Sequence, residues 1–285
     1  WPVSLESTTP VVGDINGDGK SDMVAGNHDN TKMYAFNNQG GILPGWPQSV
    51  STGFGPFVIA DPILVDLDND GKDEIISLVN NWYDTTVSDR IFVLYGNGTK
   101  VPGWPAILPE IPRDSFQTGH LSAGDVDGDG KPEILAVYSD YQQNATGCVV
   151  YNRNGQILPG WPRILIGESP FIYNQAVADL DNDGKSEIIL TTVKLQNEIY
   201  HNMIYVFRGN GTNYPGWPIN ADSLFPVGFN GVLSWPAIAD LDNNGLPEII
   251  FTVRSEAPSS KLIVYRSDGS IFPGWPIVVN TYVHH

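Results

Sequence analysis

The chain has 285 residues, 41% of them hydrophobic, which is enough for a sizeable core and favours a large all-β domain or a repeat array. Lys and Arg number 15 against 32 Asp and Glu, a formal net charge of -17, and such a surface repels phosphate backbones, so nucleic acid is excluded as a partner. The single cysteine, Cys148, rules out an internal disulfide, and no run nears the roughly 18 apolar residues of a membrane span.

In chain order, Trp1-Pro2 looks like the tail of a repeat whose complete copies follow. Each copy opens on a short apolar run and an acidic loop. The loops are DINGDGKSD from Asp14, DLDNDGKDE from Asp66, DVDGDGKPE from Asp125, DLDNDGKSE from Asp179 and DLDNNGLPE from Asp240, separated by 52, 59, 54 and 61 residues. A β-branched run follows each loop (DMVAG, EIISLV, EILAVY, EIILTTV, EIIFTV), and none has helical spacing, so each predicts a strand. A third run comes next (MYAF, RIFVLY, CVVY, MIYVF, KLIVY), then an Asn- and Gly-rich hairpin turn. PGWP then places Trp46, Trp104, Trp161, Trp217 and Trp275 at intervals of 58, 57, 56 and 58, and a fourth run such as PRILI or PIVV ends the copy.

Four antiparallel strands per unit, written five times, predict an all-β, five-bladed β-propeller occupying 1–285 as a single domain. The outer-strand pattern occurs a sixth time, at 1–7 as well as at 276–283; the expectation is a closed ring whose ends share or compete for one blade edge. Lacking an initial Met, and ending on His284-His285, the sequence reads as an excised or mature piece.

The acidic loop has the chemistry of a calcium site. Calcium takes about six to eight hard oxygens at roughly 2.3–2.6 Å, and alternate residues of a tight loop supply them. In the fourth copy Asp179, Asp181 and Asp183 alternate, Gly184 permits the reversal, Lys185 offers its carbonyl and Glu187 closes the cage. An EF-hand would end on Glu at position 12, where this chain has Ala25, Ser77, Ala136, Leu190 and Phe251, and would continue into helix. Here the closing carboxylate stands at position 9 and strand follows; dockerin modules, which also run into helix, fit no better.

The pattern D-x-[DN]-x-[DN]-G-x-x-[DE] followed by a β-run resembles the FG-GAP or VCBS repeat family, which includes the propeller heads of integrin α chains. The resemblance extends over nearly the whole chain. It implies calcium loops between the first and second strands of each blade, about five ions per chain. The implied ligands are Asp14, Asn16, Asp18, Lys20 and Asp22; Asp66, Asp68, Asp70, Lys72 and Glu74; Asp125, Asp127, Asp129, Lys131 and Glu133; Asp179, Asp181, Asp183, Lys185 and Glu187; and Asp240, Asp242, Asn244, Leu246 and Glu248. The lysines and Leu246 contribute only a carbonyl. These sets hold 18 of the 32 carboxylates, and five Ca²⁺ ions would bring the net charge to about -7. Asn16 and Asn244 replace charged ligands, so the first and fifth sites are expected to be the weaker ones.

Regular spacing assigns the GWP tryptophans to blade packing rather than to sugar binding. The sequons at Asn97 and Asn210 coincide with Asn-Gly hairpin turns and need no glycan to explain them; a third lies at Asn144. The variable loops fall on the face opposite the acidic loops, where Trp82, Tyr83, Tyr141, Tyr173, Tyr200, His201, Phe229 and Trp235 form the expected ligand face. No nucleophile motif is present, no carboxylate pair stands out beyond the loops, and His28, His120 and His201 lack metal-ligand spacing. The sequence therefore reads as a non-enzymatic, secreted or cell-surface calcium-binding adhesion module for an extracellular protein or glycan, monomeric or part of a larger chain. Alternatives are a lectin with repeated pockets between blades and, by fold analogy alone, a polysaccharide-active enzyme.

Overall fold

A computed structural model describes residues 9–27, 32–50, 58–59, 61–80, 89–109, 119–140, 145–196, 199–224, 232–254 and 260–279. They form five antiparallel sheets, one per repeat, and within each sheet the strands lie in chain order. The first sheet is Val11–Gly13, Asp22–Asn27, Lys32–Phe36 and Gln48–Ser49. The third is Gly119–Gly124, Glu133–Asp140, Ala145–Tyr151 and Arg163–Ile166. The fourth is Glu168–Ala178, Glu187–Gln196, Ile199–Phe207 and Ile219–Asn220. The fold class is thus the expected one: all-β, with blade-like sheets of four antiparallel strands and the acidic loop between the first and second strand of each.

In the second and fifth sheets the first strand is in two pieces, Val58–Ile59 with Ile63–Val65 and Val232–Leu233 with Ala237–Ala239. Each pair of pieces meets one partner strand, Glu74–Asn80 or Glu248–Arg254, with one residue more than the partner spends. Pro62 and Pro236 account for the bulge, because proline cannot donate to the ladder. In the fifth sheet Ser234 repairs the gap: its N–H donates to the Thr252 carbonyl and its Oγ accepts from the Thr252 N–H, each at 2.9 Å. These sheets are completed by Arg90–Leu94 and Ala106–Ile107, and by Ser260–Tyr265 and Ile277–Val279. The last pairing gives the fifth sheet its outer strand; the competing segment at 1–7 lies outside the described residues.

The chain divides into two compact units: residues 1–123, 131–142 and 147–162, and residues 124–130, 143–146 and 163–285. In the first unit, Ile75 and Val79 pack with Val24, Met33, Ala35 and Trp46 of the first repeat, while Ile76 and Leu78 on the other face join Tyr138, Val149 and Tyr151 of the third. Alternate side chains of one strand thus enter two different cores, which is why these strands read as continuous apolar runs. In the second unit Ile189, Ile204 and Val206 meet Ile249, Phe251, Ile263 and Tyr265. Cys148 is fully buried.

Three of the five motif tryptophans are seen to lock neighbouring repeats, as their spacing predicts. The indole N–H of Trp46 donates to the Gly96 carbonyl at 2.7 Å, that of Trp104 to Arg153 at 2.9 Å and that of Trp217 to Ser267 at 2.8 Å. Each acceptor lies in the hairpin turn of the next repeat. The glycine of PGWP permits this approach: at Gly45, Gly103 and Gly216 an added Cβ would stand 2.1–2.2 Å from the carbonyl oxygen of Asn97, Asn154 or Asp268. The five Trp-Pro peptide bonds of the motif are cis, which the sequence reading did not foresee. Among the described residues no helix is long and apolar enough to cross a membrane.

Candidate metal centres

Each acidic loop is organised by its first aspartate. In the first copy Asp14 accepts the N–H groups of Gly17 at 2.7 Å and Gly19 at 2.8 Å; in the third, Asp125 accepts Gly128 at 2.7 Å and Gly130 at 2.8 Å. Asp66, Asp179 and Asp240 take the N–H at the same sixth position, Gly71, Gly184 and Gly245, at 2.8–2.9 Å. A short carboxylate that collects the N–H groups ahead of it winds the loop around itself. Burial pulls the Asp14 carboxyl upward, but the N–H groups of Gly19, Gly17 and Asp18 together outweigh it and hold the group below its ordinary range.

Such winding needs left-handed backbone at two positions. The sixth position is glycine in every copy, with φ of 77–90°. The fourth position is also left-handed: Gly17, Asn69, Gly128, Asn182 and Asn243 have φ of 56–81°. The second requirement was missed at the sequence level although its signal is plain, since all five copies carry Gly or Asn there, the residues that tolerate this region best.

The ninth position is buried in every copy: Asp22, Glu74, Glu133, Glu187 and Glu248 are each 2–3% exposed. The N–H of the second residue holds this carboxylate, Leu67 to Glu74 and Leu180 to Glu187 at 2.9 Å, and Leu241 to Glu248 at 2.8 Å. Burial, reinforced by the neighbouring aspartates and only partly offset by that N–H, pushes Glu74 and Glu187 up to about 7. Asp22 is raised for the same first reason.

Carboxylate oxygens of Asp66, Asp68 and Asp70 lie within 4.8 Å of one another, as do those of Asp125, Asp127 and Glu133, of Asp179, Asp181 and Glu187, and of Asp240, Asp242 and Glu248. Oxygens no farther apart than this can share one ion with bonds of about 2.4 Å. Asp68 Oδ1 and Asp181 Oδ1 are buried without a hydrogen-bond partner, the state of an oxygen that a cation would satisfy. The other oxygen of Asp181 accepts the Tyr214 hydroxyl at 3.0 Å. The first loop forms no such trio of carboxylates: Asn16 stands in it, and its Nδ2 donates to Asp22 at 2.8 Å. The donor set in the other four loops is all oxygen, which fits a hard divalent cation.

Of the residues expected on the ligand face, Trp82, Tyr83, Tyr141 and Phe229 lie outside the described residues. Tyr173 and Tyr200 are placed by backbone only, in the strands Glu168–Ala178 and Ile199–Phe207. His201 is tied through Nδ1 to Asp222 Oδ2, and Trp235 is 52% exposed. A cavity of about 380 Å³ opens at the first junction between repeats, lined by Asn16, Leu43, Asp70, Lys72, Tyr95 and Asn97. The second junction has one of only about 70 Å³.

The repeated sheet, its tryptophan lock and a carboxylate loop in the first turn of each sheet define a class of blade-repeat proteins with acidic loops. An FG-GAP-like repeat model matches residues 14–77, 66–136 and 125–190, more than half of the sequence. The chain belongs to the FG-GAP-like repeat family. Among solved structures it is similar to the V. cholerae biofilm matrix protein Bap1, at 21% identity and a TM-score of 0.56, over 98% of this chain and 42% of that one. It is also similar to BBS1N, solved in complex with ARL6DN, at 10% identity and a TM-score of 0.50, over 95% of this chain and 71% of that one. The likeness at these identities is one of fold, and the chain spans less than half the length of Bap1. No curated protein matches.

Proposed function

We propose that this chain is a calcium-binding module of an extracellular, secreted or cell-surface protein, that its five repeats build one propeller domain over 1–285, and that it binds or adheres to a protein or glycan without catalysing a reaction. About five Ca²⁺ ions per chain act as structural pins, held by the fourth-copy set Asp179, Asp181, Asp183, Lys185 and Glu187 and its equivalents. The observation that carries this reading is the recurrence, in phase with the sheets, of an all-oxygen loop closed by a buried carboxylate. The ion would offset two of the three or four like charges that each ligand set gathers; the chain's part is to supply prewound aspartates and a desolvated closing group. The adhesive role rests on fold similarity to a biofilm matrix protein and on the aromatic residues expected on the other face.

The first test is calorimetric titration of chelator-treated protein with CaCl₂, together with thermal unfolding. Uptake of several ions and a higher unfolding temperature are expected; no uptake would sink the metal assignment. Binding of the loaded protein to immobilised matrix proteins and to a glycan array then tests adhesion. The cavity beside Tyr95 favours a lectin as the second reading, but the junctions differ about fivefold in volume, which argues against equivalent repeated sugar pockets.

A further inference from the structure

The five loops differ in how they meet their neighbours, and the differences alternate. The eighth residue of the second loop, Asp73, donates its N–H to the carbonyl of Asp14 in the first loop at 3.0 Å. The eighth residue of the fourth loop, Ser186, donates to the carbonyl of Asp125 in the third at 2.6 Å. At the same position the third and fifth loops carry Pro132 and Pro247, which have no N–H to give.

Three further positions follow the same alternation. The residue before the first aspartate is glycine only in copies one and three, Gly13 and Gly124. An added Cβ there would stand 2.3 Å from the Asp73 carboxylate and 3.5 Å from Ser186 Oγ, respectively. The fourth loop position is glycine in the same two copies, Gly17 and Gly128, and the stem of the next loop's lysine, Lys72 or Lys185, lies over it, 2.8 and 3.0 Å from where a Cβ would be. The turn that receives the previous loop is glycine only at Gly96 and Gly209, where a Cβ would overlap the carbonyl oxygens of Ile15 and Val126 at 1.6 and 1.8 Å. At the fourth-to-fifth junction the Asn182 side chain reaches the Gly245 carbonyl instead; neither belongs to the expected ligand sets.

We infer that Asp73 and Ser186 are positioning residues that tie the metal loops into two pairs, first with second and third with fourth, and that each pair takes up calcium cooperatively. This rests on the calcium reading given above. The link joins the backbone of the aspartate that organises one loop to the residue beside the closing carboxylate of the next, Glu74 or Glu187. Ordering either loop around an ion therefore reduces what the other must still lose in freedom. One consequence separates this from ligand charge alone: the first loop, despite Asn16, fills together with the second, whereas the fifth loop, carrying Asn244 and no such link, fills last.

The test is native mass spectrometry of the 285-residue chain at calcium levels below saturation, which counts ions per molecule. Two-ion and four-ion species are expected to exceed the independent-site distribution, with an affinity coupling within each pair of about fivefold, the lower end of ordinary coupling between sites. D73P and S186P install the residue that Pro132 and Pro247 already place in equivalent loops, and the double variant should relax to independent filling. The Asp73 carboxylate also accepts the Asp14 backbone N–H, so the matching controls are D73N, which keeps both that acceptor and the N–H, and S186A, which keeps the N–H; both should retain the excess. An independent-site distribution in the unaltered chain, or an excess unchanged by the prolines in variants whose β-sheet circular dichroism is intact, overturns the pairing and leaves the calcium reading standing. Should the double variant unfold, the unaltered chain's distribution decides alone. A chain that takes up no calcium overturns both.

Discussion

Glu74 and Glu187 show at the scale of one residue what the loops are built for. Each is a carboxylate placed where charge is costly, held by a single N–H and surrounded by aspartates, so the metal-free group is pushed from 4.5 up to about 7. A folded-state value above the unfolded one means that the proton stabilises the fold. This contribution is fully present below about pH 4.5 and is lost as pH rises through about 7. A cation reverses the sign, because it binds the deprotonated form. The metal-free chain should therefore melt at lower temperature at pH 8 than at pH 5, and calcium affinity should increase over the same interval; calorimetry at both pH values, with and without chelator, checks it. Glu187→Gln should weaken binding at the fourth loop by about tenfold or more and flatten that loop's pH dependence. A Gln variant that binds calcium unchanged would show that Glu187 is not a ligand. The ninth-position carboxylates stand out in the sequence by their spacing, but their burial does not, since a repeat pattern marks a position without saying which neighbours desolvate it.

At the scale of the element, the strands could be read because period-two apolar runs and turn residues are local signals, and every repeat reported them again. The register between repeats could not be read. PGWP was legible as packing, but the reason for its glycine is a carbonyl some 50 residues ahead, and such a contact leaves no local trace. Gly103 illustrates the point: its φ is 96° and a Cβ would sit 2.1 Å from the Asn154 carbonyl oxygen. Gly103→Ala combines left-handed strain with a backbone clash and should cost about 2 kcal/mol or more. Gly71→Ala, with φ of 84° and nothing within 4 Å, should cost less, about 1 kcal/mol from backbone strain alone. Denaturant unfolding of the two variants in calcium separates the terms; equal losses would mean that the clash is relieved by a shift of the neighbouring turn.

At the scale of the whole molecule, the composition is the constraint. A net charge of -17 on 285 residues includes 19 carboxylates gathered in five short loops, where like charges lie within a few ångströms and desolvation strengthens their repulsion. There is no disulfide to offset this, because the single cysteine is buried in a strand. Each ion bound only by the folded state adds about 2.7 kcal/mol when free calcium is a hundredfold above its dissociation constant, so even two or three filled loops amount to a large share of a domain's usual stability of about 5–15 kcal/mol. Chelation should thus lower the unfolding temperature steeply. The electrostatic origin makes a sharper prediction. Exposed like charges are screened over about 10 Å at 0.1 M salt and about 3 Å at 1 M, so NaCl should raise the melting temperature of the chelated protein. In the calcium-loaded protein more than half of the loop charge is already offset, and the same salt should raise the melting temperature far less or weaken ion binding. Melting curves from 0.05 to 1 M NaCl in both states decide this: a chelated chain indifferent to salt would mean that its instability comes from lost loop order and not from repulsion among the carboxylates.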